Sequence, residues 1–281
     1  MTRFLKMHGL GNDFVVFDAR NQMVALDPRA AKAIADRKAG VGCDQVIVIE
    51  KPANGADARM RIFNADGGEV EACGNAARCV AQFLMNEKKR NAIRIETDGG
   101  LLECADATGG LVTVDMGAPR FDWRDVPLAR EADTKDFALD VPGFTEAALQ
   151  HASALSVGNP HCVLFVPDAD HAPVATLGSA IEQHPLFPAR VNVEFVSVTG
   201  DDRLRMRVWE RGAGITRACG TGACAAAVAA HRTGRTGRKV EVVLDGGTLL
   251  IDWRPSDGHV LMTGPTALSF QGELDIAALC A

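Results

Sequence analysis

The sequence predicts an α+β protein made of two pseudo-symmetric domains from an internal duplication, each a curved, barrel-like mixed sheet around a central helix, with the active site in the interdomain cleft. Three observations predict it. Ala72-Cys73-Gly74 returns 146 residues later as Ala218-Cys219-Gly220, inside two ungapped segments, 59–81 and 205–227, identical at nine of twenty-three positions. Ordinary residue frequencies would give about one or two. Short β-branched runs bounded by Gly, Asp and Asn recur in the same order in both halves, and each Cys-Gly opens an Ala-containing stretch long enough for a helix.

The repeat extends beyond that window once the offset grows by one. Gly11-Asn12 falls on Gly158-Asn159, Gln45 on Asn192, Asp98-Gly99-Gly100 on Asp245-Gly246-Gly247 and Gly117 on Gly264. Apolar runs predict strands at 14–17, 45–49, 60–63, 93–96 and 111–116, then at 162–166, 193–198, 204–209, 240–244 and 260–262. The two Asp-Gly-Gly sequences read as hairpin turns. Asp27-Pro28 supplies an N-cap with proline at the first helical position, predicting a helix to Lys38 with Gly40 as its stop; 175–183 holds the equivalent place in the second half. The central helices are expected from Asn75 to about Lys89 and from Thr221 to about Thr233, the second so apolar around Ala223 to Ala230 that it must be buried on all sides. The domains are expected at 1–118 plus 266–281 and at 119–265, with 267–270 a strand returning to the first domain.

Bulk composition narrows the function. A chain of 281 residues has room for two cores. Its net charge of −6, with no basic block beyond Lys88-Lys89-Arg90, argues against nucleic acid and acidic membranes as partners and for a small-molecule substrate. Neither a signal-peptide core nor a bilayer-length apolar run is present, so a cytoplasmic protein without membrane contact is expected, with its eight cysteines mostly reduced. Cys43, Cys79, Cys104, Cys162 and Cys280 read as small buried hydrophobes.

Cys73 and Cys219 differ because each stands where a strand gives way to a helix. Unsatisfied backbone N–H groups and the positive end of the helix dipole favour an anion there, so both thiols are expected to be lowered toward the thiolate. The N–H groups of Gly74, Asn75, Gly220 and Thr221 would form two nests suited to a carboxylate. Two thiols flanking one bound molecule suit removal of an α-proton from one face of an amino acid and delivery to the other. No metal is expected, since Cys-x2-Cys spacing is absent, and no cofactor, since no lysine stands in a pyridoxal-binding context and no Gly-Lys-Ser/Thr follows Gly220-Thr221-Gly222. A redox disulfide is compatible with an inactivating oxidation. A two-lobed amino-acid binding protein would need the N–H groups but leaves the thiols unexplained.

Lys6-Met7-His8-Gly9-Leu10-Gly11-Asn12-Asp13-Phe14, Phe63-Asn64-Ala65-Asp66-Gly67-Gly68-Glu69 leading to Ala72-Cys73-Gly74-Asn75, Gly158-Asn159-Pro160-His161, and Glu210-Arg211-Gly212-Ala213-Gly214 leading to Ala218-Cys219-Gly220-Thr221 together resemble the diaminopimelate epimerase family, nearly end to end. The resemblance implies cofactor-independent interconversion of LL- and meso-2,6-diaminopimelate, in lysine and peptidoglycan precursor synthesis, by a homodimer. It makes Cys73 and Cys219 the acid/base pair, with His161 supporting their ionisation and Glu210 serving the reacting centre and its ammonium group. Asn12, Gln45, Asn64, Asn159, Asn192 and Arg211 would bind the rest of the substrate, Arg211 by holding a carboxylate. Proline racemase and hydroxyproline epimerase share the two-cysteine plan, but Arg211 and the asparagines suit a substrate with a second polar end. Gly68, Ala76 and Cys43 depart from the family pattern without replacing a group that has a chemical role. Asp13, Asp44 and Asp66 read as caps or turn formers.

Overall fold

The computed structural model describes residues 1–71 and 73–280, so Ala72 of the first Ala-Cys-Gly lies outside the described residues. The chain divides into two compact units, 1–115 with 263–281, and 116–262.

The first unit runs β1 (Thr2–Gly9), β2 (Asn12–Asp18), α1 (Pro28–Ala35), β3 (Gln45–Glu50), β4 (Ala58–Asn64), β5 (Glu69–Val70), α2 (Gly74–Lys88), β6 (Ala92–Thr97), β7 (Gly100–Ala107) and β8 (Leu111–Asp115). The second runs β9 (Ala152–Ser156), β10 (Pro160–Phe165), α3 (Ser179–Glu182), β11 (Asn192–Gly200), β12 (Arg203–Glu210), β13 (Gly214–Ile215), α4 (Gly220–Arg232), β14 (Lys239–Leu244) and β15 (Gly247–Trp253). β16 (Val260–Gly264) crosses the division, and β17 (Ala267–Leu274) and α5 (Ile276–Leu279) belong to the first unit.

The pairing pattern shows the duplication more clearly than the residues do. β2 and β3 are parallel with Phe14 opposite Gln45, and β10 and β11 are parallel with His161 opposite Asn192. β3–β4 and β11–β12 are antiparallel, β4–β6 and β12–β14 parallel, β6–β7 and β14–β15 antiparallel hairpins. Each sheet is thus mixed in the same order. It curves because its strands pack on one helix: α2 touches β1, β2, β6, β7 and β8, while α4 touches β9, β10, β11, β12, β14 and β15. Every residue of α4 from Gly222 to Ala230 is buried, as its composition demands, and α2 buries Gly74 to Ala81. β17 pairs antiparallel with β1 and completes the first sheet.

Two helices depart from their sequence signals for local reasons. Asp27 caps α1 by accepting from Ala30 N at 2.7 Å, but the helix stops at Ala35 instead of Lys38. The Asp36 carboxylate accepts from the N–H groups of Lys38 and Ala39 at 2.7 and 2.8 Å, a turn that competes with another helical one. The expected helix over 175–183 is a π-helical turn, Val174–Gly178, followed by the short α3. Gly178 lies against Trp209, where a Cβ would stand 2.5 Å from the tryptophan Cβ.

Candidate active site

In the first unit, Cys73 is the N-cap of α2, in extended backbone (φ −148°, ψ 108°), and is half-buried. Its carbonyl accepts from Ala77 N at 2.9 Å, so the helix begins at Gly74 and the N–H groups of Gly74 and Asn75 point out of its first turn. Asn75 Nδ2 donates to Asn12 Oδ1 at 3.2 Å, which brings the β1–β2 turn to the helix start. Asn12 is held in turn by Asp44, which accepts from Asn12 Nδ2 at 2.9 Å and Asp13 N at 3.0 Å. Asp13 and Asp44 are therefore more than turn formers, since Arg37 bridges both carboxylates at 2.7 Å and Lys6 reaches Asp13 at 2.5 Å. Burial alone would raise the Asp13 carboxyl, but the hydrogen bonds from Arg37 and Lys6 outweigh it and hold the group at about 2. Gln45 faces Asn64 across β3 and β4, donating Nε2–H to Asn64 Oδ1 at 2.9 Å.

The second unit has the same frame with different groups on it. Cys219 is the N-cap of α4 (φ −114°, ψ 110°), 4% exposed, and its sulfur accepts from Gly222 N at 3.3 Å and lies 3.5 Å from Thr221 Oγ1. Asn159 Nδ2 donates to Thr221 Oγ1 at 3.3 Å, His161 Nε2 lies 2.9 Å from Asn159 Oδ1, and His161 Nδ1 lies 2.7 Å from Glu194 Oε1. Both His161 and Glu194 are fully buried. Glu210, at the end of β12, accepts from the Thr216 hydroxyl and lies close enough to the Cys219 thiol for each to shift the other's ionisation. Asn192 accepts from Arg211 N at 2.9 Å and donates to Pro160 O at 3.0 Å, while the Arg211 side chain reaches Ala189 O at 3.2 Å.

One expectation is reversed. The Cys219 thiol is not lowered by its helix: burial first, then the Glu210 and Glu194 carboxyls, push it well above its ordinary value, against the pull of Thr221 and Gly222. Glu210 is pushed up as well, chiefly by burial. Loss of hydration at both groups exceeds what the first turn of one helix returns. Four of the five cysteines read as structural are buried, and burial pushes Cys43, Cys79 and Cys104 up to about 12 and Cys162 well above its ordinary value; Cys280 is only half-buried.

Sequence reasoning missed three carboxylate and hydroxyl groups. Glu194 sits in the otherwise apolar run Val193-Glu194-Phe195-Val196, buried in β11, and a single acid within an apolar run was the available signal. Thr216 lies between β13 and α4, where nothing in the sequence marks its hydroxyl. Glu182, also buried, accepts from Trp209 Nε1 at 2.7 Å and Gly212 N at 3.0 Å and so clamps the turn that carries Glu210 and Arg211. Among the described residues no three His, Cys, Asp or Glu side chains converge as metal ligands do, and no helix is long and apolar enough to cross a membrane.

Gly222 exists for space. A Cβ there would meet Glu194 Oε1 at 2.9 Å and Cys219 Sγ at 3.2 Å. Gly222→Ala should therefore displace the thiol and lower turnover on the order of 10²-fold, the usual consequence of an ångström-scale misplacement. A kinetic assay beside a thermal melt checks this; near-wild-type turnover would mean the carboxylate moves aside freely.

The site can be set beside known proteins. The family model described as diaminopimelate epimerase matches residues 4–121 and 153–268. A diaminopimelate epimerase of Erythrobacter litoralis is 57% identical over 274 residues, covering 97% of each chain, and one of Nitrosomonas europaea is 48% identical, covering 98% of this chain and 99% of its own. Among solved structures, a hydroxyproline epimerase from Agrobacterium vitis superposes with a TM-score of 0.68 at 17% identity, covering 97% of this chain and 90% of that one. A phenazine biosynthesis protein from Bacillus anthracis gives 0.69 at 16%, covering 98% and 99%. These two likenesses speak for the fold alone, whereas the sequence match speaks for the activity. The chain belongs to the diaminopimelate epimerase family, and it is an isomerase.

Proposed function

We propose that the protein interconverts LL- and meso-2,6-diaminopimelate without a cofactor, Cys73 and Cys219 exchanging the roles of base and acid according to direction. The observation that carries this reading is the pair of thiols at equivalent N-cap positions, one on each central helix, with the Glu210 carboxyl beside the second. The α-proton of an amino acid is weakly acidic because the carbanion forms beside a carboxylate. Helix N-terminal N–H groups, those of Gly74, Asn75, Gly220 and Thr221, neutralise that carboxylate and so stabilise the developing charge.

Glu210 takes the proton of Cys219, leaving a thiolate that removes the α-proton, while the Cys73 thiol delivers a proton to the opposite face. The carbon keeps its electron pair only between those two transfers, and the net change is inversion. In the other direction Cys73 is the base, and His161 supports ionisation of the thiols. Arg211, Gln45, Asn12, Asn64, Asn159 and Asn192 hold the distal amino-acid end, and their different identities in the two copies suit a substrate whose ends differ. The two epimerase domains are 1–118 plus 266–281 and 119–265. The protein works in the cytoplasm, in lysine and peptidoglycan precursor synthesis, as a homodimer; Leu268 and Phe270, about half exposed on β17, offer apolar surface for a second copy.

Incubating the protein in deuterated water with LL-diaminopimelate, L-proline and L-lysine separately tests the reading by chiral chromatography and mass spectrometry. Inverted diaminopimelate carrying one deuterium at the inverted α-carbon is expected. Turnover of proline without diaminopimelate would overturn the substrate.

A further inference from the structure

We propose that Glu194 is a positioning residue for the Cys219 thiol, fixing a proton on His161 Nε2 and thereby the direction of every hydrogen bond between that imidazole and the sulfur. The proposal rests on Cys219 being an acid/base group. Glu194 Oε1 lies 2.7 Å from His161 Nδ1, and the Asn159 amide turns Oδ1 to Nε2 at 2.9 Å and Nδ2 to Thr221, the orientation that suits a hydrogen on Nε2, with one more hydrogen held between Nδ1 and the carboxyl. With its oxygen occupied, the Asn159 amide presents Nδ2–H to Thr221 Oγ1. The Thr221 oxygen is then an acceptor, and its own hydrogen is left to donate to Cys219 Sγ. Together with Gly222 N–H, the sulfur has two donors, the arrangement that stabilises a thiolate once Glu210 has taken the proton.

Removing Glu194 leaves the tautomer unfixed. In the form that carries its hydrogen on Nδ1, Nε2 is an acceptor, and the Asn159 amide turns to donate to it. Asn159 Oδ1 would then draw the Thr221 hydrogen away from the sulfur. The surroundings of Glu194 favour the shared proton. Its second oxygen is buried without a hydrogen-bond partner, and burial raises the carboxyl. The titratable groups facing it are His161 and Cys162 from β10, Glu210 from β12 and Cys219 from α4.

The first unit lacks this device. By the repeat, Phe14 stands for His161 and Ile47 for Glu194, and the link at the helix start runs the other way, with Asn75 donating to Asn12. Polarity of the relay is therefore a property of the second copy only.

The test uses the full-length Glu194→Leu, Glu194→Gln and Thr221→Val proteins. Glu194→Leu should lower kcat about 10- to 100-fold, as loss of a group that orients a catalytic one does, with KM changed less than about threefold. Glu194→Gln should stay within about threefold of wild type, because its amide N–H donates to Nδ1 and leaves the Nε2 proton in place. Thr221→Val should match Glu194→Leu in kcat, and the double variant should lose no more than either. ¹⁵N NMR of His161 should find hydrogen on Nε2 in the wild-type and Gln proteins and a mixture of the two tautomers in the Leu protein. Additive losses, a Gln variant as impaired as the Leu variant, or an unprotonated Nε2 in the wild type would each overturn the relay. If Glu194→Leu does not fold, the Gln and Val variants with the wild-type spectrum still decide. Inversion retained by Cys219→Ala would instead remove the role of Cys219, whatever the His161 tautomer.

Discussion

Cys219→Ala and Cys73→Ala should each lose at least about 10³-fold in stereoinversion, within the range that a positioned acid or base supplies. The two losses should not add in the double variant, because inversion needs both faces of the carbon served in one passage. Stability should change little by comparison: Ala removes one sulfur from a 4%-exposed position at Cys219, a small void at a helix start. Cys219→Ser keeps a group that can deliver a proton but provides a far weaker base at neutral pH, so it should be impaired more in the direction that uses Cys219 as base. Initial rates from LL- and from meso-diaminopimelate, read by chiral chromatography, separate these outcomes. A single-thiol protein that inverts at a tenth of the wild-type rate would sink the two-base reading.

The second large effect belongs to Glu210. Glu210→Gln should lower kcat/KM by about 10²- to 10⁴-fold, since the amide cannot take the proton that Cys219 gives up. Its consequence for stability has the opposite sign. Burial raises the carboxyl in the folded protein above its unfolded value, so the associated stability is fully present below the unfolded value and is lost as pH rises through the folded one. Gln carries no charge to bury, so the melting temperature of Glu210→Gln should gain on the wild type as pH rises, while activity collapses. For activity, Glu210 must be ionised, which places the acidic limb of the wild-type rate profile above the ordinary carboxylate range; that limb should vanish in the variant's residual activity. A melting temperature lowered at pH 7 together with an unchanged acidic limb would show that Glu210 is not the group titrating.

Most of what carries the chemistry could be read before any coordinates because it repeats. Cys-Gly followed by an apolar helix specifies a thiol at a helix start twice over, and matching Gly and Asn residues fix the strand register, which is why Gln45 and Asn64, like Asn192 and Glu210, fall at neighbouring places on paired strands. What does not repeat is harder to read. His161, where the first copy has Phe14, is picked out by the resemblance alone, and its partner Glu194, where the first copy has Ile47, looks like scatter in an apolar strand. β1 was hidden for a related reason: Lys6 lies on a buried position and is tolerated through its contacts with Asp13 and the Gly42 carbonyl, breaking the apolar pattern of an inner strand. The raised Cys219 thiol escaped because a helix start and a nearby carboxylate oppose each other, and only depth of burial decides between them.

The pairing of β17 with β1 also fixes an order of assembly on the ribosome. Residues 116–262 are contiguous and can begin folding as soon as they emerge, with every strand partner from β9 to β15 already present. The first sheet cannot be finished then: Thr2 waits for Leu274 and Lys6 for Phe270. An open strand edge therefore persists at β1 through synthesis of the entire second unit, and contacts spanning so much of the sequence form slowly. The half of the chain made first is the half completed last.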